Sequence, residues 1–200
     1  MEVATLLITL PSILFLSFTT NGVSARHGIS IVDQPPAVLD SSGKELLKSE
    51  YYYLKPVMAL PWLYSPAIIP GVYRKDTCWL QLGIEVFTYG ITGVPVKFSP
   101  VVPNKDKSIR ESTDLIIEFP DKLGSLCGGS SVLKADEFLF LGPRGDNTSR
   151  FKIEKSSESS NRIYKLVYSS GKVVGTSTRY DKTRRLALTD KPLPFTFHPF

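Results

Sequence analysis

Apolar positions along the chain fall in short, often alternating runs, each bounded by Gly, Pro, Ser or Asp, and helical periodicity is hard to find. Such runs, rich in Tyr, Val, Ile and Phe and separated by turn residues, read as β-strands. The pattern predicts strands near Glu50–Pro56, Cys78–Ile84, Val94–Phe98, Asp114–Phe119, Ser131–Lys134, Phe151–Lys155, Arg162–Tyr168, Arg185–Thr189 and Phe195–His198. An all-β sandwich or barrel follows. YYYLKP, DLIIEFP and YKLVYSS, starting at Tyr51, Asp114 and Tyr164, echo one another. Units spaced about 50 to 60 residues apart, none able to bury its own apolar face, predict one closed barrel-like core.

The intervening segments are punctuated for turns. Fifteen prolines and fourteen glycines suit a loop-rich β fold and are too scattered for a disordered chain. SSESS, Ser156–Ser160, reads as a solvated hairpin loop. LPWLYSPAIIPGVY, 60–73, reads as a Pro-rich loop carrying Trp62, Tyr64 and Tyr73. Those rings could offer a stacking platform to a sugar or apolar ligand. Large aromatics are usually well buried, so packing over the end of the barrel is the favoured reading.

Met1–Ala25 changes the picture of the chain as a whole. Its apolar run is interrupted by Pro11 and ends in Val23-Ser24-Ala25, small residues that suit cleavage before Arg26. The usual positive start is missing, and Glu2 is the segment's only charge. We read 1–25 as a signal peptide and 26–200 as a single domain. Losing Glu2 and no Lys or Arg takes the formal net charge from +5 to +6. This mild basic excess, interleaved with acids, suits a soluble secreted monomer and an acidic partner surface, and argues against nucleic acid. No other stretch approaches membrane-spanning length, so no membrane partner is expected.

Cys78 and Cys127 are the only cysteines. In an oxidising compartment a pair favours one disulfide over two buried thiols. Its loop of about 50 residues gives an entropic stabilisation on the order of 4 kcal/mol. Asn147-Thr148-Ser149 is a glycosylation sequon in GPRGDNTSR, a surface loop by composition. Catalytic chemistry is poorly supplied. The two histidines, His27 and His198, sit in no metal-binding spacing, no Gly-rich phosphate loop is present, and Asp114, Glu118 and Asp121 read as surface acids. We therefore expect no enzyme, no metal and no cofactor.

Several motifs occur together in one order. They are Ala37-Val38-Leu39-Asp40 with Gly43, then Tyr51-Tyr52-Tyr53, Asp76-Thr77-Cys78, and Gly93-Val94-Pro95-Val96-Lys97-Phe98-Ser99-Pro100. Glu111-Ser112-Thr113-Asp114-Leu115, Cys127, Phe151-Lys152-Ile153-Glu154, Tyr164-Lys165-Leu166-Val167 and Arg184-Arg185-Leu186-Ala187-Leu188 follow. In this order the chain resembles the plant Kunitz-type inhibitors, the soybean trypsin inhibitor type, from about Ala37 to Phe197. The resemblance implies a β-trefoil: twelve strands in three pseudo-repeats, as a six-stranded barrel capped by hairpins. It implies a serine-protease inhibitor, active on a secreted or vacuolar endopeptidase, whose loop between the fourth and fifth strands enters the active site as a substrate does. A non-inhibitory protein binding a carbohydrate, small ligand or protein partner on the same scaffold is the alternative. The family's second disulfide has no counterpart after Val167, which predicts a mobile Ser169–Thr178.

That resemblance assigns the reactive loop to Pro100, Val101, Val102, Pro103, Asn104 and Lys105, with Val102 in the position that enters the protease pocket. Val102 is not basic, whereas trypsin's pocket carries an acid. Pro103 follows directly, with no N–H and a fixed φ. Lys48 stands where inhibitory relatives carry a loop-supporting asparagine, and lysine has donors only. The run through Lys107 also reads as longer and unbraced, which leaves Lys105 or Lys107 as a shifted pocket residue if the loop is rearranged.

Overall fold

Alternation along β1, Tyr52–Pro56, sets the architecture: Tyr52 and Leu54 are buried while Tyr53 and Lys55 point outward. The computed structural model describes residues 34–59, 64–74, 79–88, 93–120, 131–145, 147–157, 162–178 and 184–200. The remaining strands are β2 Tyr64–Arg74, β3 Trp79–Thr88, β4 Pro95–Pro100, β5 Leu115–Glu118, β6 Ser131–Ala135 and β7 Leu139–Pro143. They continue as β8 Phe151–Lys155, β9 Tyr164–Tyr168, β10 Val173–Ser177, β11 Arg185–Thr189 and β12 Phe195–Pro199.

All pairings are antiparallel. Hydrogen bonding runs β10-β11-β3-β7-β6-β5-β4-β1-β12-β9, and the β10–β9 pairing closes this ring of ten. β2 and β8 lie outside it: β2 pairs β3, while β8 pairs β9 and meets β5 at Leu115 and Phe151. This corrects the expectation of a trefoil in three pseudo-repeats with a hairpin cap apart from its barrel. The β2–β3, β6–β7 and β10–β11 hairpins are hydrogen-bonded into the same sheet through β3–β7, β11–β3, β5–β6 and β10–β9, so one continuous closed sheet replaces barrel plus cap. The expected closed core does form. Phe98, Phe151, Phe195, Phe197 and Tyr164 fill it, with Phe197 at 5.4 Å from Phe98 and 5.5 Å from Tyr164 between ring centroids. A cavity of about 10 Å³ remains, walled by side chains such as Leu54, Ile117 and Phe195. That is the room of one water and no place for a ligand.

Two strands, β2 and β10, lie where a loop or a mobile segment was expected, and β7 was not among the expected strands. Tyr64–Arg74 is β2, so its prolines punctuate an edge rather than a loop. Pro66 and Pro70 lack N–H groups and block addition of another strand along that edge. Tyr64 is 43 % exposed, against the expectation that it packs over the barrel end. Trp62 lies outside the described residues, as do 1–25, Cys78 and Cys127. Ser169–Thr178, expected to be mobile, contains β10, which pairs with β11 along its whole length. Of SSESS, Ser156 and Ser157 follow β8, and 158–160 lie outside the described residues.

Candidate functional site

The β4–β5 connection begins after Pro100 and ends before Leu115. At its neck the Val101 N–H donates to the Asp114 carbonyl at 2.9 Å. Its second half is laddered onto residues 36–48. Lys48 N–H donates to Lys107 O (3.0 Å), Ile109 N–H to Leu46 O (2.8 Å), Val38 N–H to Ile109 O (2.9 Å) and Glu111 N–H to Pro36 O (2.9 Å). Ile109 is fully buried and pins this half to the core. The chain then reverses at Ser112, whose φ of 57° is in the left-handed region, and the Ser112 N–H donates to Ile153 O at 2.9 Å. Thr113 Oγ1 closes the turn on Arg110 O at 2.8 Å.

The supporting segment is built in its own right. Asp40 Oδ1 accepts from Ser42 N–H (2.8 Å), Ser42 Oγ (2.7 Å) and Lys44 N–H (3.0 Å), an Asx-type turn that Gly43 completes at φ 87°. Burial alone pushes the Asp40 carboxyl up, but these donors outweigh it and hold its pKa below the usual value. Two core tyrosines then fasten the segment to the sheet: Leu39 N–H donates to Tyr164 Oη and Leu47 N–H to Tyr52 Oη, both at 2.9 Å.

From this platform Lys48 reaches the loop. Its Nζ donates to the Asn104 carbonyl at 3.0 Å and to Asn104 Oδ1 at 2.5 Å. The loop expected to be unbraced is therefore held, and from Lys48, the position the resemblance gives for its support. The amide stands on the loop and the donor on the scaffold, so a group with donors only is sufficient. Two residues on, Asp106 accepts from Arg110 Nε (2.6 Å) and Ser108 N–H (3.0 Å). The Arg110 bond is the main cause that lowers the Asp106 pKa. Ser108 Oγ donates to Glu45.

The outcome is a half-fixed loop. Pro100, Val101, Val102, Pro103, Asn104 and Lys105 are contiguous at its first half; Val102 is 73 % exposed, and Pro103, Asn104 and Lys105 are exposed. Lys105 stands between two braced neighbours, Asn104 and Asp106. Sequence reasoning missed Glu45, Asp106, Ser108 and Arg110. The available signal was Ile109, one apolar residue in an otherwise polar run. Asn147 opens a single 3-10 turn, Asn147–Ser149, on the far side of β7 from this loop in sequence.

The other candidate chemistry stays dispersed. Among the described residues no group of three or more His, Cys, Asp or Glu could hold a metal, and no helix is long and apolar enough to cross a membrane. His198 Nε2 lies 3.0 Å from Thr196 Oγ1.

Residues 38–198 match the Kunitz legume family model, described as trypsin and protease inhibitor. Kunitz trypsin inhibitor 5 of Arabidopsis thaliana is 28 % identical over 197 residues, 93 % of this chain and 97 % of that protein. The rice bifunctional α-amylase/subtilisin inhibitor, from Oryza sativa, is 28 % identical with a TM-score of 0.64, covering 83 % of this chain and 99 % of its own. The water-soluble chlorophyll protein of Brassica oleracea var. Botrytis, bound to chlorophyll b, shares the fold at TM-score 0.66 and 24 % identity, over 82 % and 98 % of the two chains. One scaffold thus carries both protease inhibitors and a pigment-binding protein.

Proposed function

The chain belongs to the Kunitz legume family of trypsin and protease inhibitors, and from that premise we propose that it is a secreted binding protein rather than a standard trypsin inhibitor. It offers the tip of the β4–β5 loop to a protein partner. The observation that carries this reading is the pair Val102–Pro103. Val102 is the most exposed apolar side chain of the loop and bears no charge for an acidic pocket. The tertiary amide after it gives a protease no N–H to hold and resists the geometry of attack. The Lys48–Asn104 grip supports binding without turnover, because a loop already held in shape loses less entropy on docking.

A second reading is supported by a separate observation. Lys105 is exposed between two braced residues, so the same loop could present a basic side chain to a serine endopeptidase. Titration of the mature protein against trypsin, chymotrypsin, elastase and subtilisin separates the two. The binding-protein reading expects no stoichiometric inhibition of any of them. Inhibition of trypsin that is lost in Lys105→Ala, or of elastase lost in Val102→Gly, replaces it with the inhibitor reading.

A further inference from the structure

The outer face where β12, β1 and β4 lie side by side carries an aromatic strip apart from the presented loop. Tyr52 and Leu54 turn inward, so Tyr51, Tyr53 and Lys55 turn outward. Phe195 and Phe197 turn inward, so Thr196 and His198 share the outer face and Phe200 follows them. The register sets Tyr53 between His198 of β12 and Pro95 of β4. Phe200 N–H donates to Tyr51 O at 3.1 Å. Its ring lies 6.2 Å from that of Tyr51 and 5.5 Å from that of Tyr53, inclined at 62° and 51°. Phe200 is 73 % and Tyr51 37 % exposed. Rings already packed against each other hold their exposed faces still, so a partner that stacks on them orders little further.

Charge on this face favours one class of partner. Lys55 continues the outward line of β1, and Lys97 lies on the outer side of β4, one step beyond the Tyr52–Val96 pair. Among the described residues neither lysine is in an ion pair. Glu118, opposite Lys97 across β4 and β5, is already occupied by Arg144 and Ser99. Glu50, at the end nearest the loop, accepts from its neighbour Ser49 at 3.4 Å. His198 is held below its usual pKa by burial and by Lys55, so it is neutral near pH 7, and its Nε2 lies 3.0 Å from Thr196 Oγ1.

We propose that this strip binds an acidic oligosaccharide, with sugar rings stacked on Phe200 and Tyr51 and uronic-acid carboxylates paired with Lys97 and Lys55. A neutral sugar would use the rings and leave both cations without a counter-charge. Each exposed ion pair adds little by itself, so binding depends on rings and charges together and weakens as salt screens the charges.

The test uses the full chain and a hexamer of galacturonic acid, with a neutral β-1,4-glucose hexamer as comparison, by calorimetry and by NMR shifts of the strip residues. The acidic hexamer is expected to bind, and to weaken as salt is raised from about 20 mM to about 0.2 M. Phe200→Ala and Tyr51→Ala should each cost about three- to tenfold in affinity. Phe200→Leu, which keeps an apolar residue without a flat ring, should lose a similar factor and guards against a folding effect. Lys55→Gln with Lys97→Gln should flatten the salt dependence, and Val86→Ala, at an exposed apolar position on β3, should leave the binding of both hexamers unchanged. The proposal is overturned if the acidic hexamer does not bind. It is equally overturned if the neutral hexamer binds as well, or if folded Tyr51 and Phe200 variants bind like the parent. Self-association abolished by Phe200→Ala would assign the strip to a second copy of the chain and also overturn it.

Discussion

Lys48 Nζ holds Asn104 twice, at the backbone carbonyl and at the side-chain oxygen, across 56 positions of sequence. The bond joins the presented half of the β4–β5 loop to a segment itself tied to the core by Tyr52 and Tyr164. The loop's first half therefore has one lateral support, and its removal can be read directly.

Lys48→Ala should leave the fold intact and free the tip. Limited digestion should nick the variant after Lys105 or Lys107 at least about threefold faster than the parent, while Tm shifts by no more than about 2 °C, since opening is local. Equal nicking rates, measured by mass spectrometry of the fragments, would show that the bond contributes nothing to loop order.

Removing one hydroxyl tests the platform beneath. Tyr164→Phe leaves the Leu39 N–H without its acceptor at the edge of the core. The expected loss is about 1–2 kcal/mol in urea unfolding, with the m-value unchanged.

Gly93 stands at the entry to β4 with φ 86°, and a Cβ there would lie 2.7 Å from the Ile68 carbonyl. Both the backbone conformation and the contact oppose a side chain. Gly93→Ala should lose on the order of 2–4 kcal/mol. A shift of the urea midpoint too small for about 1 kcal/mol would mean that β2 yields at this point.

Much of this organisation is legible in the chain, and the misses have physical causes. Strands such as β1, β5, β8 and β9 show clean alternation because one face is core and the other solvent. β2, β7 and β10 were hidden by turn residues used for other ends. Pro66 and Pro70 lie on an edge strand, and Gly142 sits against the Lys134 side chain. Gly175 is required because a Cβ would come within 2.4 Å of the Lys191 carbonyl. The loop's position follows from the motif around Lys97–Pro100. The resemblance also gives Lys48 as the supporting position, but its bond to Asn104 is not legible, because here the donor stands on the scaffold and the amide on the loop. The repeat spacing predicts a closed core, but which ten strands form the ring is not legible in local patterns, since it depends on pairings between distant strands such as β11 with β3.

Two buried carboxyls should pull stability in opposite directions with pH. Asp40 has a lowered pKa, so its contribution is present above its unfolded value of about 3.8 and is lost as pH falls through the folded pKa. Glu111 has a pKa raised by burial against the pull of Lys155. Its contribution is full below about 4.5 and is lost as pH rises through the folded pKa. Urea midpoints between pH 2.5 and 7 check both. Asp40→Asn should flatten the acid limb, and Glu111→Gln should remove the decline above about pH 4.5. Unchanged profiles would show that neither carboxyl is linked to folding.

Active-site titration of trypsin with the mature chain tests the central claim most directly. Val102, 73 % exposed, uncharged and followed by Pro103, is the residue we propose to face the protease pocket. Trypsin activity should remain undiminished through a several-fold molar excess of the chain. A linear fall to zero at a 1:1 ratio would contradict the account and make the loop a working trypsin inhibitor.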